Sequence, residues 1–150
     1  MVELVTIQDI ERIIDDVIRE ILIPKFKSLG MDATGEWIRT VDARGNEIWG
    51  RDYTEYLVNG RRPGKIPPIA PILNWIQAKF GISGQEAMSR AYAVAYTIAE
   101  KGTTYYQQGG TDLLAILDSQ KTKDFINSRI SEIANDKLEK ILTNEIKTTF

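Results

Sequence analysis

Residues Tyr53 to Trp75 read YTEYLVNGRRPGKIPPIAPILNW, passing from an aromatic, β-branched run through a proline-rich span into apolar residues at helical spacing. From Asn59 onward this stretch holds four of the chain's five prolines, two glycines and three basic residues. Pro63, Pro67, Pro68 and Pro71 bias the backbone toward extended geometry, and Gly60 and Gly64 allow tight turns. Ile69, Ile72, Leu73, Ile76 and Phe80 then recur at helical intervals, with Pro71 in the first turn, where its missing N–H does no harm, and Gly81 as the stop. The expected order is a strand over Tyr53–Val58, a stiff basic arm, and a helix.

Upstream, Thr6 and Asp9 have the spacing of a capping box, and Ile7, Ile10, Ile14, Val17 and Ile21 recur at three and four. An amphipathic first helix follows, strained at Pro24 and ended by Gly30. From Glu36 the period changes to two: Trp37, Arg39 and Val41 alternate with Ile38 and Thr40, and the run ends in Asp42-Ala43-Arg44-Gly45-Asn46. This predicts a strand, a hairpin turn, and a return over Glu47–Gly50. With Tyr53–Val58 as a third strand, a small antiparallel sheet of about three strands packs against the N-terminal helix and several later helices. The fold class is α+β.

Downstream, Ser83 precedes Glu86 by three residues, and Met88, Ala91, Ala95, Ile98 and Ala99 form a small-residue face on a helix running to Lys101. Gly102–Thr111 (GTTYYQQGGT) reads as a polar loop with two outward tyrosines, Tyr105 and Tyr106. Asp112 is placed to cap a short helix through Leu117, and a final long helix spans about Thr122 to Lys147.

A chain of 150 residues, 43% hydrophobic and 27% charged, has the size and apolar content of one packed domain over 1–150. Its net charge of −2, from 19 basic and 21 acidic side chains, exerts no long-range pull on nucleic acid or membrane. Cysteine and histidine are both absent, which removes disulfides, thiolate nucleophiles, the commonest metal ligands and the commonest general base. No enzymatic activity, cofactor or metal is therefore expected. The N-terminal segment lacks the basic-then-apolar pattern of a secretory signal, so synthesis and folding in cytoplasm are expected.

The arm is a connection with solvated charges or a docking element, in which Arg61, Arg62 and Lys65 would meet carboxylates or phosphates. Asp15, Asp16 and Glu20 read as a solvated helix face, and Asp52 and Glu55 flank the expected third strand. No glycine-containing stretch matches a phosphate-cradling loop. Tyr92 and Tyr96, one turn apart, are expected to pack on the sheet, whereas loop-borne Tyr105 and Tyr106 are candidates for a protein interface.

Tyr53, Tyr56, Gly60, Arg62, Pro63, Pro67, Pro68, Leu73 and Trp75, followed by AYAVAYTIAEKGT, form a pattern that resembles the tail-completion and neck proteins of long-tailed bacteriophages. The likeness covers about residues 36 to 104, with Gly64 where that family commonly has histidine. It implies a structural virion protein of the tail or neck, assembled in the host cytoplasm. Subunits would form a six- or twelvefold ring that completes the tail or joins it to neighbouring connector, portal or tail-tube proteins. The implied interface comprises Arg61, Arg62, Pro63, Lys65, Pro67, Pro68, Tyr105 and Tyr106. The lumen of such a ring would allow incidental contact with passing DNA, and no membrane is involved. A second reading from the same basic and aromatic residues is a nucleic-acid-contacting accessory protein without catalytic activity, whose affinity would fall steeply with salt.

Overall fold

The computed structural model describes residues 4–146, which are mostly helical with one two-stranded antiparallel hairpin, a broadly α+β arrangement. The chain divides into two compact units of interleaved segments. One takes the residues through Pro24, Asp42–Trp49, and those from Ala115 onward; the other takes Lys25–Val41 and Gly50–Leu114.

The first unit starts with α1 (Ile7–Val17). The expected capping box is present: Asp9 N–H donates to Thr6 Oγ1 at 3.1 Å, and Thr6 N–H donates to Asp9 Oδ2 at 2.9 Å. Two amide donors at the helix start are thus satisfied reciprocally. Asp9 Oδ2 also accepts from Lys137 Nζ. That bond, then the one from the Thr6 amide, holds the Asp9 carboxyl down at about 2 against the opposing effect of burial. Ile13, Val17, Ile18, Ile21 and Leu22 form the buried stripe.

Pro24 does not break this helix. It has no N–H for the Glu20 carbonyl, and its ring would crowd that carbonyl in regular α geometry. Residues Ile18–Leu22 accordingly widen into one π turn, closed by Ile23 N–H to Ile18 O, and α2 (Ile23–Ser28) continues beyond it. Gly30, at φ 71°, ends the run with its N–H on Lys27 O at 3.0 Å, while Met31 N–H reaches Phe26 O at 3.4 Å.

β1 (Asp42–Arg44) pairs with β2 (Glu47–Trp49), with Ala43 opposite Ile48. Gly45 takes φ 59° at the first position of the two-residue turn, and its N–H donates to Glu11 Oε2 at 2.7 Å, tying the turn to α1. A 3₁₀ turn at Ala115–Asp118 leads to α8 (Gln120–Glu145). Ser119 caps that helix by accepting from Thr122 N–H at 3.3 Å, and buried Thr122 donates its hydroxyl to Ile116 O at 2.6 Å. α8 runs antiparallel to α1: Arg129 meets Glu20 at 2.9 Å, and Lys137, two turns on, meets Asp9.

In the second unit Phe26 stacks on Trp37 with ring centroids 4.4 Å apart, and Trp37 Nε1 donates to Thr54 Oγ1 at 2.9 Å. Trp37 lies on α3 (Glu36–Thr40) and Thr54 opens α4 (Thr54–Asn59). Next, α5 (Ile69–Phe80) packs on α6 (Gly84–Lys101), where Ala87, Ala91 and Ala95 are fully buried and Ile76 sits among Ile69, Ile72, Leu73, Ile82 and Val94. Four-residue alanine spacing brings the two helix backbones close.

Several expectations are corrected. Glu36–Thr40 and Thr54–Asn59 are helices, so two strands are present among the described residues. Trp37 and Val41 are both buried and stand four apart, a spacing that suits one helix face as well as one strand face. Asp42–Arg44, expected as turn, is the first strand. Ser83 occupies the cap position of α6 without a side-chain bond. Asp112 caps no helix and instead accepts from Lys25 Nζ at 2.9 Å, a bond that lowers its carboxyl pKa. Tyr92 and Tyr96 are exposed rather than packed on the sheet. The final helix ends at Glu145, and Lys147 lies outside the described residues.

Two measurements test this account. Folded Asp9 sits near 2 against an ordinary 3.8, so its pairing stabilises the fold above the ordinary value and is lost as pH falls toward 2. The urea midpoint should drop across that window, and Asp9→Asn should flatten the drop. Ala91→Leu forces extra volume between α5 and α6 and should cost about 1–3 kcal/mol in urea denaturation.

Candidate functional site

The proline arm is laid along a corner formed by the end of α6 and α7 (Thr104–Gln107). Its entrance is Gly60, which caps α4 by donating its N–H to Tyr56 O at 2.9 Å with φ 76°. Arg61 N–H donates to Thr103 Oγ1 at 2.9 Å, and Thr103 N–H returns a bond to Arg61 O at 3.0 Å. Farther along, Gly64 N–H donates to Ala99 O at 2.8 Å. On the near side Thr111 closes the clamp, its N–H on Val58 O at 2.6 Å and its hydroxyl on Leu57 O at 2.7 Å. The Thr103 hydroxyl also accepts from Tyr106 N–H at 3.3 Å, so one side chain both caps α7 and holds the arm.

Two glycines permit this approach. A β-carbon on Gly60 would stand 2.1 Å from the Tyr106 amide nitrogen. One on Gly102, itself at φ 78°, would stand 2.8 Å from Arg61 O. Both positions combine positive φ with backbone contact, so glycine is required twice over.

The clamp fixes the backbone while turning most arm side chains outward. Arg61 and Pro67 are the exceptions: the Arg61 guanidinium lies 5.7 Å over the Tyr56 ring, and the residue is half-buried. Arg62, Pro63 and Lys65 are exposed, and neither cation meets an acceptor among the described residues. Ile66 beside them is 51% exposed. Pro67 is buried and Pro68 takes the cap position of α5. Tyr105 is half-buried, which pushes its phenol above the ordinary 10.0, and Tyr106 is exposed. Arg61, Pro63 and Tyr106 meet at one corner around Gly102, where a β-carbon would touch all three, with Tyr105 beside them on α7. Lys65, Pro67 and Pro68 continue along the chain toward α5.

The two tyrosines sit on a short helix rather than in a loop. Thr103 and Thr111, which hold the arm, were not among the expected interface residues, although Thr103 closes the AYAVAYTIAEKGT run. Their signal was present as two Gly-Thr pairs, Gly102-Thr103 and Gly110-Thr111.

Of the acidic candidates, Asp52 and Glu55 are exposed, and those of the first helix are paired with cations. Asp15 binds Arg19 at 2.9 Å, Arg129 sits 2.9 Å from Glu20 and 4.0 Å from Asp16, and Arg129 also covers the Phe125 ring at 4.9 Å. Among the described residues no group of three or more acidic side chains is arranged to hold a metal ion, and no helix is long and apolar enough to cross a membrane. Comparison of the chain with protein-family models, curated proteins and solved structures returned no match.

If the clamp depends on glycine, Gly60→Ala should release the arm. Hydrogen exchange would then show lost protection at the Thr103 and Thr111 amides, with helices α1 and α8 unchanged. Thr103→Val, which leaves the Arg61 amide without its acceptor, should cost about 1–3 kcal/mol by denaturation.

Proposed function

We propose that this chain is a structural assembly protein of the bacteriophage head–tail junction, in which the arm is the docking element between subunits or onto the next ring. One observation carries the reading. A basic, proline-stiffened segment is pinned by backbone bonds on both sides of Gly60 while Arg62, Lys65 and Ile66 face solvent. Ordering a flexible loop on association costs free energy for each immobilised side chain and backbone unit. A segment already held by Thr103, Ala99 and Thr111 has met much of that cost before it meets a partner. Prolines at Pro63, Pro67 and Pro68 restrict it further.

The sequence pattern shared with tail-completion and neck proteins supplies the setting, a six- or twelvefold ring that closes the tail or connects it to portal, connector or tail-tube proteins. In such a ring the contact is heterologous, one patch on each subunit meeting a different patch on the next. An arm with outward cations suits that role, since complementary charge sets register and speeds encounter.

Light scattering of the purified chain across concentration should reveal a species near 102 or 204 kDa, six or twelve times 17.0 kDa. Arg62→Glu with Lys65→Glu should dissociate it without moving the urea midpoint, because neither side chain contributes an ion pair to the fold among the described residues. An unchanged mass in the double variant would remove the arm from the interface.

A further inference from the structure

A docking arm needs a counterpart, and the acids of α1 do not provide one. Asp9, Asp15, Asp16 and Glu20 are each paired with a cation of the same unit, and Glu11 accepts from the Gly45 amide. Their charge is neutralised or bonded within the chain. Asp52 and Glu55, on or next to α4, are exposed, but Arg61 of the same unit already covers their neighbour Tyr56.

The last two turns of α8 differ. Lys137 marks the level at which α8 meets Asp9, at the start of α1, and the residues beyond it lose cover progressively. Leu138 is 42% exposed, Leu142 61% and Ile146 69%. At about 100° per residue these three form one ridge, and Glu139 and Glu145 fall on its two flanks. Neither glutamate meets a cation among the described residues, whereas Lys140, on the opposite side, is held by Asp136 at 3.0 Å. The result is an apolar ridge bordered by two unneutralised carboxylates.

We propose that this ridge receives the arm of a second copy of the chain: Ile66 against Leu138 and Leu142, with Arg62 and Lys65 between Glu139 and Glu145. The inference rests on the self-assembling reading given above. Charge and hydrophobicity match term by term: two exposed cations and one exposed isoleucine on the arm, two exposed anions and an exposed leucine pair on the helix. The two surfaces are different, so each copy offers one of each, and the contact propagates from subunit to subunit as a closing ring requires. Pairing across the interface would also cover the most exposed apolar side chains of α8, which otherwise stand in water.

The absence of cysteine allows a direct test. Ile66→Cys and Leu142→Cys proteins, mixed under mild oxidation, should give a disulfide-linked species of about 34 kDa, twice 17.0 kDa, that neither variant gives alone. Adding Arg62→Glu and Lys65→Glu to the first variant should suppress that product at least tenfold. Adding Glu139→Lys and Glu145→Lys to the second should then restore it. An oligomer that forms without the mixed disulfide overturns this pairing and leaves the ring intact as a reading. A chain that neither cross-links nor exceeds monomer mass at the highest concentration it reaches overturns both.

Discussion

Two backbones that meet where no β-carbon can stand set the terms for the second unit. Gly60 lies against the Tyr106 amide and Gly102 against the Arg61 carbonyl, and the bonds from Arg61, Thr103, Gly64 and Thr111 exist because that approach is open. The direction of the arm, the outward turn of Arg62 and Lys65, and the entry into α5 through Pro68 all follow from it. A side chain at either glycine would push the two segments of this contact apart by more than a hydrogen bond tolerates.

The first unit is held differently, by burial and by charge. Its apolar stripe from Ile13 to Leu22 carries most of the stability, since buried aliphatic side chains contribute about 1.5–3 kcal/mol each. The surface pairs of Arg129 and Arg19 contribute about 0–1 kcal/mol apiece. Their larger consequence is directional: they occupy the acids of α1, whereas Glu139 and Glu145 near the far end of the unit's long helix meet no cation among the described residues. Lys137, bonded to Asp9, marks where intramolecular pairing with α1 stops.

Much of the architecture was legible because local rules acted alone. Thr6 and Asp9 form their capping box, Gly81 stops α5, Gly102 stops α6, and the alanine face of α6 is buried as its spacing implies. Where the reading failed, two periodicities coincided over a few residues. Trp37 and Val41 are alternate strand positions and also one helical turn apart; Tyr53, Tyr56 and Leu57 fit an i, i+3, i+4 face as well as an extended run. Segments of five or six residues cannot separate these patterns, and the indole of Trp37 found its stacking partner in Phe26 and its acceptor in Thr54, both distant in sequence. Pro24 acted as its chemistry implies, straining the helix without ending it: a single π turn absorbs it and the run continues to Gly30.

By itself the sequence determined the composition of the site: a stiff arm, its cations, its glycines, and the absence of cysteine and histidine. Proline and glycine restrict or free the backbone wherever they occur, so their effect can be read locally. Only the tertiary structure decided which cations remain unpaired, which carboxylates are already neutralised, and which threonines hold the arm. Those outcomes depend on contacts such as Arg61 with Thr103 or Lys137 with Asp9, separated by 42 and 128 residues, and no local pattern encodes a partner that far along the chain.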